Sequence, residues 1–96
     1  MSADVRIYVT TFCPYCVQAK ALLKKKQVSF TEINVDSRND LRSWLVSASG
    51  QRTVPQVFIN GESVGGFTDI DALDRRGKLD SLLAAAPAAG ASALPG

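Results

Sequence analysis

The chain has 96 residues, of which 46% are hydrophobic, and this is enough for one small domain with a single core. Its 11 Lys and Arg against 9 Asp and Glu give a net charge of +2, and no basic stripe with interleaved aromatics occurs, so nucleic acid is not an expected partner. No apolar run approaches the roughly 20 residues needed to cross a bilayer, and the N-terminus shows no signal pattern, so we expect a cytoplasmic protein, or a mature form already trimmed, without membrane association. The sequence does not fix the oligomeric state, and a monomer is the default expectation.

The N-terminal third of the chain predicts a strand, a helix and a second strand. Residues 5–9 alternate in polarity and are rich in β-branched side chains, which is typical of a strand. From residue 14 to about residue 27, apolar residues recur at helical spacing. A second strand is predicted over residues 28–35. The apolar members of this helix and this second strand are Ala19, Leu22, Leu23, Phe30, Ile33 and Val35.

A second helix is predicted over residues 38–49. Asp36 and Ser37 provide its N-cap signal. Gly50 is expected to end it, because glycine readily adopts the left-handed conformation found just after helices. The spacing of its apolar residues assigns four side chains to the core, and these are Leu41, Trp44, Leu45 and Ala48.

The second half of the chain predicts a hairpin followed by helices. Residues 57–59 and 62–64 flank Asn60-Gly61, a strong hairpin signal because a type I′ turn needs two residues that tolerate positive φ. Helices are predicted over residues 69–78 and 80–86. Their inward-facing residues are expected to be Ile70, Ala72, Leu73, Leu82 and Leu83.

The predicted order of elements is β-α-β-α-β-β-α, with a short final helix. The helix between the first two strands makes a right-handed crossover, so these strands should be parallel neighbours. The last two strands form an antiparallel hairpin. The sequence therefore predicts an α/β fold with a four-stranded mixed sheet and helices on both faces. We place the domain at residues 1–86 and a flexible Ala/Gly/Pro tail at residues 87–96.

The only two cysteines form the motif Cys13-Pro14-Tyr15-Cys16, directly after the first strand. Cys13 falls at the expected N-cap of the first helix, with Pro14 at the first helical position, which proline favours. The first N–H groups of a helix lack internal partners and favour negative charge, so we expect the pKa of the Cys13 thiol to lie below its ordinary value. The motif predicts a redox dithiol with Cys13 as nucleophile and the deeper Cys16 as resolving cysteine.

A structural disulfide and half of a zinc site are the alternatives for the two cysteines. A disulfide that closes so short a loop removes little chain entropy, because the gain grows with loop length. A zinc site requires about four ligands, and the chain has no histidine and no third cysteine. We therefore expect no bound metal.

Three motifs together resemble those of the dithiol glutaredoxins: C-P-Y-C at residues 13–16, Thr53-Val54-Pro55, and Gly65-Gly66. The resemblance covers roughly residues 5–83 and implies the thioredoxin fold. It implies a cis peptide bond before Pro55 and a Val54 backbone that binds an extended peptide as an added strand. The tripeptide glutathione is the implied reductant and co-substrate. Proteins that carry disulfides or glutathione mixed disulfides are the implied partners.

The resemblance also implies a glutathione site around the dithiol. Gly66 would let the ligand backbone approach closely, and the N–H groups that begin the third helix would attract the γ-glutamyl carboxylate. Tyr15 would line the groove beside the thiol. The residues implied to bind glutathione are Tyr15, Arg42, Thr53, Val54, Pro55, Gly66, Phe67, Thr68 and Asp69.

Two positions depart from the family pattern. Glutaredoxins commonly carry a lysine that pairs with the glycyl carboxylate of glutathione, and this chain has Thr10 there. Gly66 is usually followed by Cys or Ser and two acids, but here by Phe67-Thr68-Asp69. We expect Arg42 to take over part of the carboxylate binding. Loss of the lysine should then weaken glutathione binding by only a few-fold, since an exposed ion pair is worth at most about 1 kcal/mol. The polar residues near it are Gln51 and Arg52.

The resemblance implies a glutathione-dependent thiol–disulfide oxidoreductase, and two alternatives remain open. Phe67 lies where glutaredoxin-like redoxins reduced by thioredoxin reductase carry an aromatic residue, so electrons from that enzyme are the first alternative. The second is a [2Fe–2S] carrier in which two chains hold a cluster through Cys13 and two glutathiones. In the family, a proline after the first cysteine, here Pro14, is associated with redox activity rather than with storage of a cluster.

Overall fold

The structure, a computed structural model, describes residues 3–87 and 94–96. The predicted order of strands and helices is confirmed, with a fourth short helix at the end. In chain order the elements are β1 (Val5–Val9), α1 (Pro14–Lys25), β2 (Thr31–Asn34), α2 (Asn39–Ser49), β3 (Gln56–Ile59), β4 (Glu62–Gly65), α3 (Phe67–Arg75) and α4 (Leu79–Ala84).

The four strands form one mixed sheet in the order β2-β1-β3-β4. β1 runs parallel to β2 and antiparallel to β3, and β3 and β4 form the expected antiparallel hairpin. Both residues of its turn have positive φ, 53° at Asn60 and 84° at Gly61, as a type I′ turn requires. This arrangement confirms the predicted thioredoxin-type α/β fold and places the chain entering α1 close to the chain entering β3.

Each face of the sheet has its own core, so helices cover both sides. On one face, buried residues of β1 and β3 pack with α1, α3 and α4, including Ala19, Leu23 and Ile70. On the other face, Tyr8 and Phe58 pack with residues of α2. Trp44 is partly buried and its ring lies 5.5 Å from that of Phe58, which confirms that it belongs to the core.

Three expectations for the segment from β2 to α2 are wrong. β2 is shorter than predicted and begins at Thr31. α2 has Arg38 at its N-cap without a side-chain cap. Asp36 accepts hydrogen bonds from Thr11 instead, and Ser37 has a positive φ. Ala48 is exposed. The C-terminal end is as predicted, because Gly50 adopts the left-handed conformation with φ 73°.

The C-terminal helices also differ from the prediction in their bounds. α3 begins at Phe67, two residues earlier than predicted, because Gly66 serves as its N-cap. α4 begins at Leu79, and this residue is buried together with Leu83. Leu82 is partly buried against the same core, as expected.

The domain boundary at residue 86 and the flexible tail over 87–96 stay predictions, and residues 88–93 lie outside the described residues. The last three residues contact the domain. Leu94 packs against the core that contains Tyr8, whose hydroxyl donates to the carbonyl oxygen of Pro95. The Arg6 guanidinium donates to the Leu94 carbonyl oxygen at 3.2 Å. For residues 94–96, therefore, the structure shows a docked segment.

The helices in the described part of the chain are short, and none has the length and apolar character needed to cross a membrane.

Candidate active site

The sulfur of Cys13 caps the N-terminus of α1. Cys13 is extended, with φ −147° and ψ 98°, and its Sγ accepts a hydrogen bond from the Cys16 backbone N–H at 3.1 Å. The residues preferred at this place include serine, threonine, aspartate and asparagine, whose side-chain oxygens accept the same kind of hydrogen bond. Pro14 follows at the first helical position, and the first turn of α1 contains no acidic side chain. The positive end of the α1 dipole therefore faces the Cys13 sulfur without a competing carboxylate from its own first turn.

The two cysteines differ in accessibility as the motif predicts. Cys16 is almost fully buried, whereas Cys13 is only partly buried. They form a disulfide in this structure, so the Cys16 sulfur can reach the Cys13 sulfur without rearrangement of the helix. The more accessible sulfur is thus the one that an external disulfide can meet first.

The loop that precedes β3 lies beside the Cys13 sulfur. The Val54–Pro55 peptide bond is cis, as the family resemblance implies. The Val54 carbonyl oxygen lies 3.6 Å from Cys13 Sγ. Val54 is half-buried and Pro55 is buried, so the backbone of Val54 forms the part of this loop that is presented near the sulfur.

A cavity of about 230 Å³, here called the Pro55 groove, lies next to this loop. It contains eight of the nine residues predicted to bind glutathione, together with Gln51, and its lining residues are Tyr15, Gln51, Thr53, Val54, Pro55, Gly66, Phe67, Thr68 and Asp69. The rings of Tyr15 and Phe67, which both line it, stack on each other with centroids 6.4 Å apart. The groove therefore lies between the N-terminal ends of α1 and α3, and the binding role of its residues stays a prediction.

The N-terminus of α3 already holds a carboxylate. Asp69 Oδ2 accepts a hydrogen bond from the Gly66 N–H at 2.9 Å. Gly65 makes room for this contact, because a Cβ added there would lie 2.2 Å from the same oxygen. The N–H groups of Phe67 and Thr68 lack partners within the helix, as the first N–H groups of any helix do, so they are the donors left for a ligand.

Arg42 lies outside the Pro55 groove, in an adjacent cavity of about 330 Å³ that we call the arginine cavity. Its lining, as far as residues 3–87 and 94–96 form it, contains a second guanidinium, that of Arg52, and no acidic side chain. The two cavities share Gln51, Thr53 and Val54. A ligand that extended from the Pro55 groove past these residues would bring an anionic end close to both guanidiniums. The lining residues are Val35, Asn39, Arg42, Ser43, Leu45, Val46, Gln51, Arg52, Thr53 and Val54.

Asp36 connects the segment before Cys13 to the segment before α2. Its carboxylate accepts hydrogen bonds from the Thr11 hydroxyl and, at 2.9 Å, from the Thr11 N–H. The Thr11 hydroxyl, followed by the Thr11 N–H, holds the pKa of Asp36 below its ordinary value, with a smaller effect from the positive charge of Arg42. This contact orders the residues directly before Cys13 and was not predicted, because the sequence signal assigned Asp36 to a helix cap.

Thr10, which replaces the common lysine of the family, is half-buried at the end of β1. In the described residues, 3–87 and 94–96, no group of three or more His, Cys, Asp or Glu is placed to hold a metal ion. Apolar side chains are exposed near the dithiol: Phe12 is 94% exposed and Val17 is 63% exposed.

Gln51 lines the Pro55 groove but was not among the residues predicted to bind glutathione. The sequence signal that could have identified it is its position just before Arg52 and the Thr53-Val54-Pro55 motif.

A family model described as glutaredoxin matches residues 5–64. The chain belongs to the glutaredoxin family. It is similar to a glutaredoxin of Pseudomonas aeruginosa, with 51% identity over 81 residues that cover 84% of this chain and 96% of the relative. It also resembles the solution structure of a Brucella melitensis glutaredoxin, with 48% identity, a TM-score of 0.77, and coverage of 85% of this chain and 89% of that one.

A further similar structure is that of a buckwheat glutaredoxin–glutathione complex. It is 32% identical, has a TM-score of 0.79, and the match covers 84% of this chain and 76% of that chain. Membership of the glutaredoxin family, together with the Cys13–Cys16 pair at the start of α1, identifies this protein as a dithiol glutaredoxin, a thiol–disulfide oxidoreductase.

Proposed function

We propose that this glutaredoxin uses glutathione to reduce both protein disulfides and glutathione mixed disulfides. The observation that carries the proposal is the place of the Cys13 sulfur, at the N-cap of α1 and 3.6 Å from the Val54 carbonyl oxygen. An external disulfide that adds to the Val54 backbone as a short strand would bring one of its sulfurs to Cys13. The buckwheat relative, whose structure is a complex with glutathione, supports the choice of ligand.

In the first step the Cys13 thiolate attacks one sulfur of the substrate disulfide. A new sulfur–sulfur bond forms at Cys13, the substrate disulfide breaks, and its other sulfur leaves as a thiolate. The N–H groups at the start of α1, including that of Cys16, face the Cys13 sulfur and would stabilise the attacking anion. No histidine contributes, because the chain contains none.

The mixed disulfide at Cys13 is resolved in one of two ways. When the bound partner is a protein, the Cys16 sulfur attacks Cys13, releases the reduced protein and forms the intramolecular disulfide. Two glutathiones then supply the two electrons that reduce this disulfide, and they leave as glutathione disulfide. When the bound partner is glutathione itself, a second glutathione attacks the mixed disulfide directly, and Cys16 is not needed.

The glutathione moiety would lie in the Pro55 groove with its ends in different environments. Its γ-glutamyl end would meet the free N–H groups of Phe67 and Thr68, beside the Asp69 carboxylate. Its glycyl end would extend over Val54 toward the guanidinium of Arg42. Arg42 would thereby take part of the role of the lysine that Thr10 replaces.

The direct test is reduction of hydroxyethyl disulfide with glutathione as the only thiol reductant, coupled to glutathione reductase and NADPH. We expect turnover that depends on both the glutaredoxin and glutathione. Turnover that is absent with glutathione but present with NADPH and thioredoxin reductase would overturn the proposal. It would establish the second candidate instead, which rests on the aromatic Phe67 beside Tyr15 and on the absence of the family lysine.

A further inference from the structure

Gln56 is a buried polar residue that holds the loop before β3. It is 0% exposed at the start of β3, opposite Tyr8 in the sheet. Its Nε2 donates to the Thr53 carbonyl oxygen and to Gln51 Oε1, each at 2.9 Å. These hydrogen bonds span the residues that precede the cis peptide bond and that separate the Pro55 groove from the arginine cavity.

The Thr53 carbonyl fixes the orientation of both side-chain amides. A backbone carbonyl oxygen can only accept, so the atom of Gln56 that faces it must be the nitrogen. The same nitrogen contacts Gln51, whose facing atom must then be its oxygen. The NH₂ group of Gln51 is therefore the end turned away from Gln56, and Gln51 is exposed and lines both cavities.

Burial of the Gln56 amide lowers the stability of the fold relative to an apolar side chain of the same size. Its Oε1 is buried without a hydrogen-bond partner among the described residues. Both oxygens that accept from its Nε2, the Thr53 carbonyl oxygen and Gln51 Oε1, belong to the loop before β3. Stability of the fold does not by itself account for this buried amide, whereas orientation of the loop does.

We infer that Gln51 is a specificity-determining residue whose amide NH₂ donates to an anionic end of the bound disulfide substrate, and that Gln56 is its positioning residue. The inference rests on the proposed function, because the ligand is a carboxylate of the glutathione moiety. Gln51 lies where the Pro55 groove meets the cavity that contains Arg42 and Arg52. An amide donor and two guanidiniums at one end of the site select substrates that carry a negative charge there.

The sharpest test is Gln51→Glu, assayed with a glutathionylated peptide. A glutamate keeps an oxygen to accept from Gln56 but replaces the NH₂ donor by a negatively charged oxygen. We expect KM to rise by about tenfold or more at low salt, with kcat and Tm unchanged, because a hydrogen bond to a charged group is replaced by repulsion. Gln27→Glu, at an exposed residue that lines neither cavity, is the matched control and should behave as wild type. Equal KM values for the two variants would overturn the inference.

The role of Gln56 is tested with Gln56→Met, which preserves length and removes the amide. Gln56→Met and Gln51→Met should each raise KM by about threefold to tenfold without changing kcat. The double variant should be no worse than Gln51→Met alone, since Gln51→Met removes the donor and Gln56→Met acts only by releasing the orientation of that same donor. If the effects on KM multiplied in the double variant, or if Gln56→Met lowered Tm and left KM unchanged, Gln56 would be shown to be only structural.

A measurement on the wild-type protein avoids dependence on folding of the variants. The side-chain NH₂ of Gln56 should exchange with solvent far more slowly than that of Gln27, and the Gln51 NH₂ signal should shift on titration with glutathione. Fast exchange at Gln56 would overturn the pairing. Absence of glutathione turnover by the wild type would refute the proposed function instead, and the exchange measurement, which needs no glutathione, distinguishes the two failures.

Discussion

The N-termini of α1 and α3 border the same groove, but different groups occupy them. At α1 the cap is the Cys13 sulfur, which accepts the Cys16 N–H, and the first turn has no acidic residue. At α3 the Asp69 carboxylate accepts the Gly66 N–H. A carboxylate of the helix itself thus faces the N-terminus of α3, whereas α1 directs its dipole at a sulfur that is charged only as a thiolate. From this difference we expect that α1 activates the nucleophile, whereas α3 only helps to hold a ligand.

The largest expected effect comes from removing the sulfur at α1. Cys13→Ser keeps an oxygen that can cap the helix, so the fold and Tm should change little. Reduction of hydroxyethyl disulfide and of protein disulfides should both fall by on the order of a thousandfold or more, because the nucleophile is gone. Steady-state rates with glutathione measure this, and activity comparable to that of wild type would contradict the assignment of Cys13.

The next largest effect distinguishes the role of Cys16, in the first turn of α1, from that of Cys13, its N-cap. Cys16→Ser keeps the backbone N–H that donates to Cys13, so the nucleophile should remain active. Deglutathionylation of a peptide should stay within about threefold of wild type, while reduction of protein disulfides should fall by about tenfold or more. The two substrates are compared in parallel assays. An equal loss on both would show that Cys16 does more than resolve protein mixed disulfides.

At α3, Gly65→Ala should be the most destabilising change. Gly65 has φ +101°, and a Cβ there would lie 2.2 Å from Asp69 Oδ2, so both the backbone and the cap are disturbed. We expect a loss of about 2 kcal/mol or more in the free energy of unfolding, measured by urea denaturation. Gly50→Ala is the matched control, because its φ is +73° and an added Cβ would meet none of the described residues within 4 Å beyond its chain neighbours; it should cost only about 1 kcal/mol. Equal losses would show that the Asp69 contact is unimportant.

A smaller effect is expected when the carboxylate at α3 is changed. Asp69→Ala loses the hydrogen bond from Gly66 and should lower the free energy of unfolding by about 1 kcal/mol. Asp69→Asn keeps an oxygen acceptor and should retain most of that stability. Denaturation of the two variants side by side separates the hydrogen bond from the charge, and a fully stable Ala variant would contradict this account of the α3 terminus.

The smallest effect concerns Asp36, the anion bound by Thr11 just before Cys13. Because its pKa is lowered in the folded protein, its contribution to stability is complete above its ordinary value near 3.8 and is lost as the pH falls through the folded value. Thr11→Val removes the hydroxyl, the first cause of the shift. Its Tm should lie a few degrees below wild type at pH 6, and the difference should shrink below pH 4. A difference that is the same at both pH values would exclude this linkage.

Much of this arrangement could be predicted from local sequence signals. The hairpin at Asn60-Gly61, the cap at Cys13-Pro14 and the helix stop at Gly50 each depend on conformations that few residues adopt, and all three were confirmed. The prediction for Asp36, as part of the N-cap signal of α2, was wrong. Its side chain can cap a helix or bind a distant N–H equally well, and only the fold brings Thr11 within its reach.

The site itself was predicted in part. The motif residues that line the Pro55 groove were found because they belong to contiguous motifs. The pairing of Gln51 with Gln56 could not be predicted, since two glutamines five residues apart carry no signal until the fold brings their side chains together. The contact of Leu94 with the core was missed for a similar reason, because a small-residue tail shows no periodicity.

The most direct test of the central claim is titration of the reduced Cys16→Ser protein, followed by thiolate absorbance in the ultraviolet. The Cys13 sulfur is then the only thiol, and the peptide dipoles of α1 still face it. We expect the thiolate to predominate near pH 7, with loss of the absorbance only on acidification. A Cys13 sulfur that remains protonated near pH 7 would contradict the claim that the start of α1 activates the nucleophile.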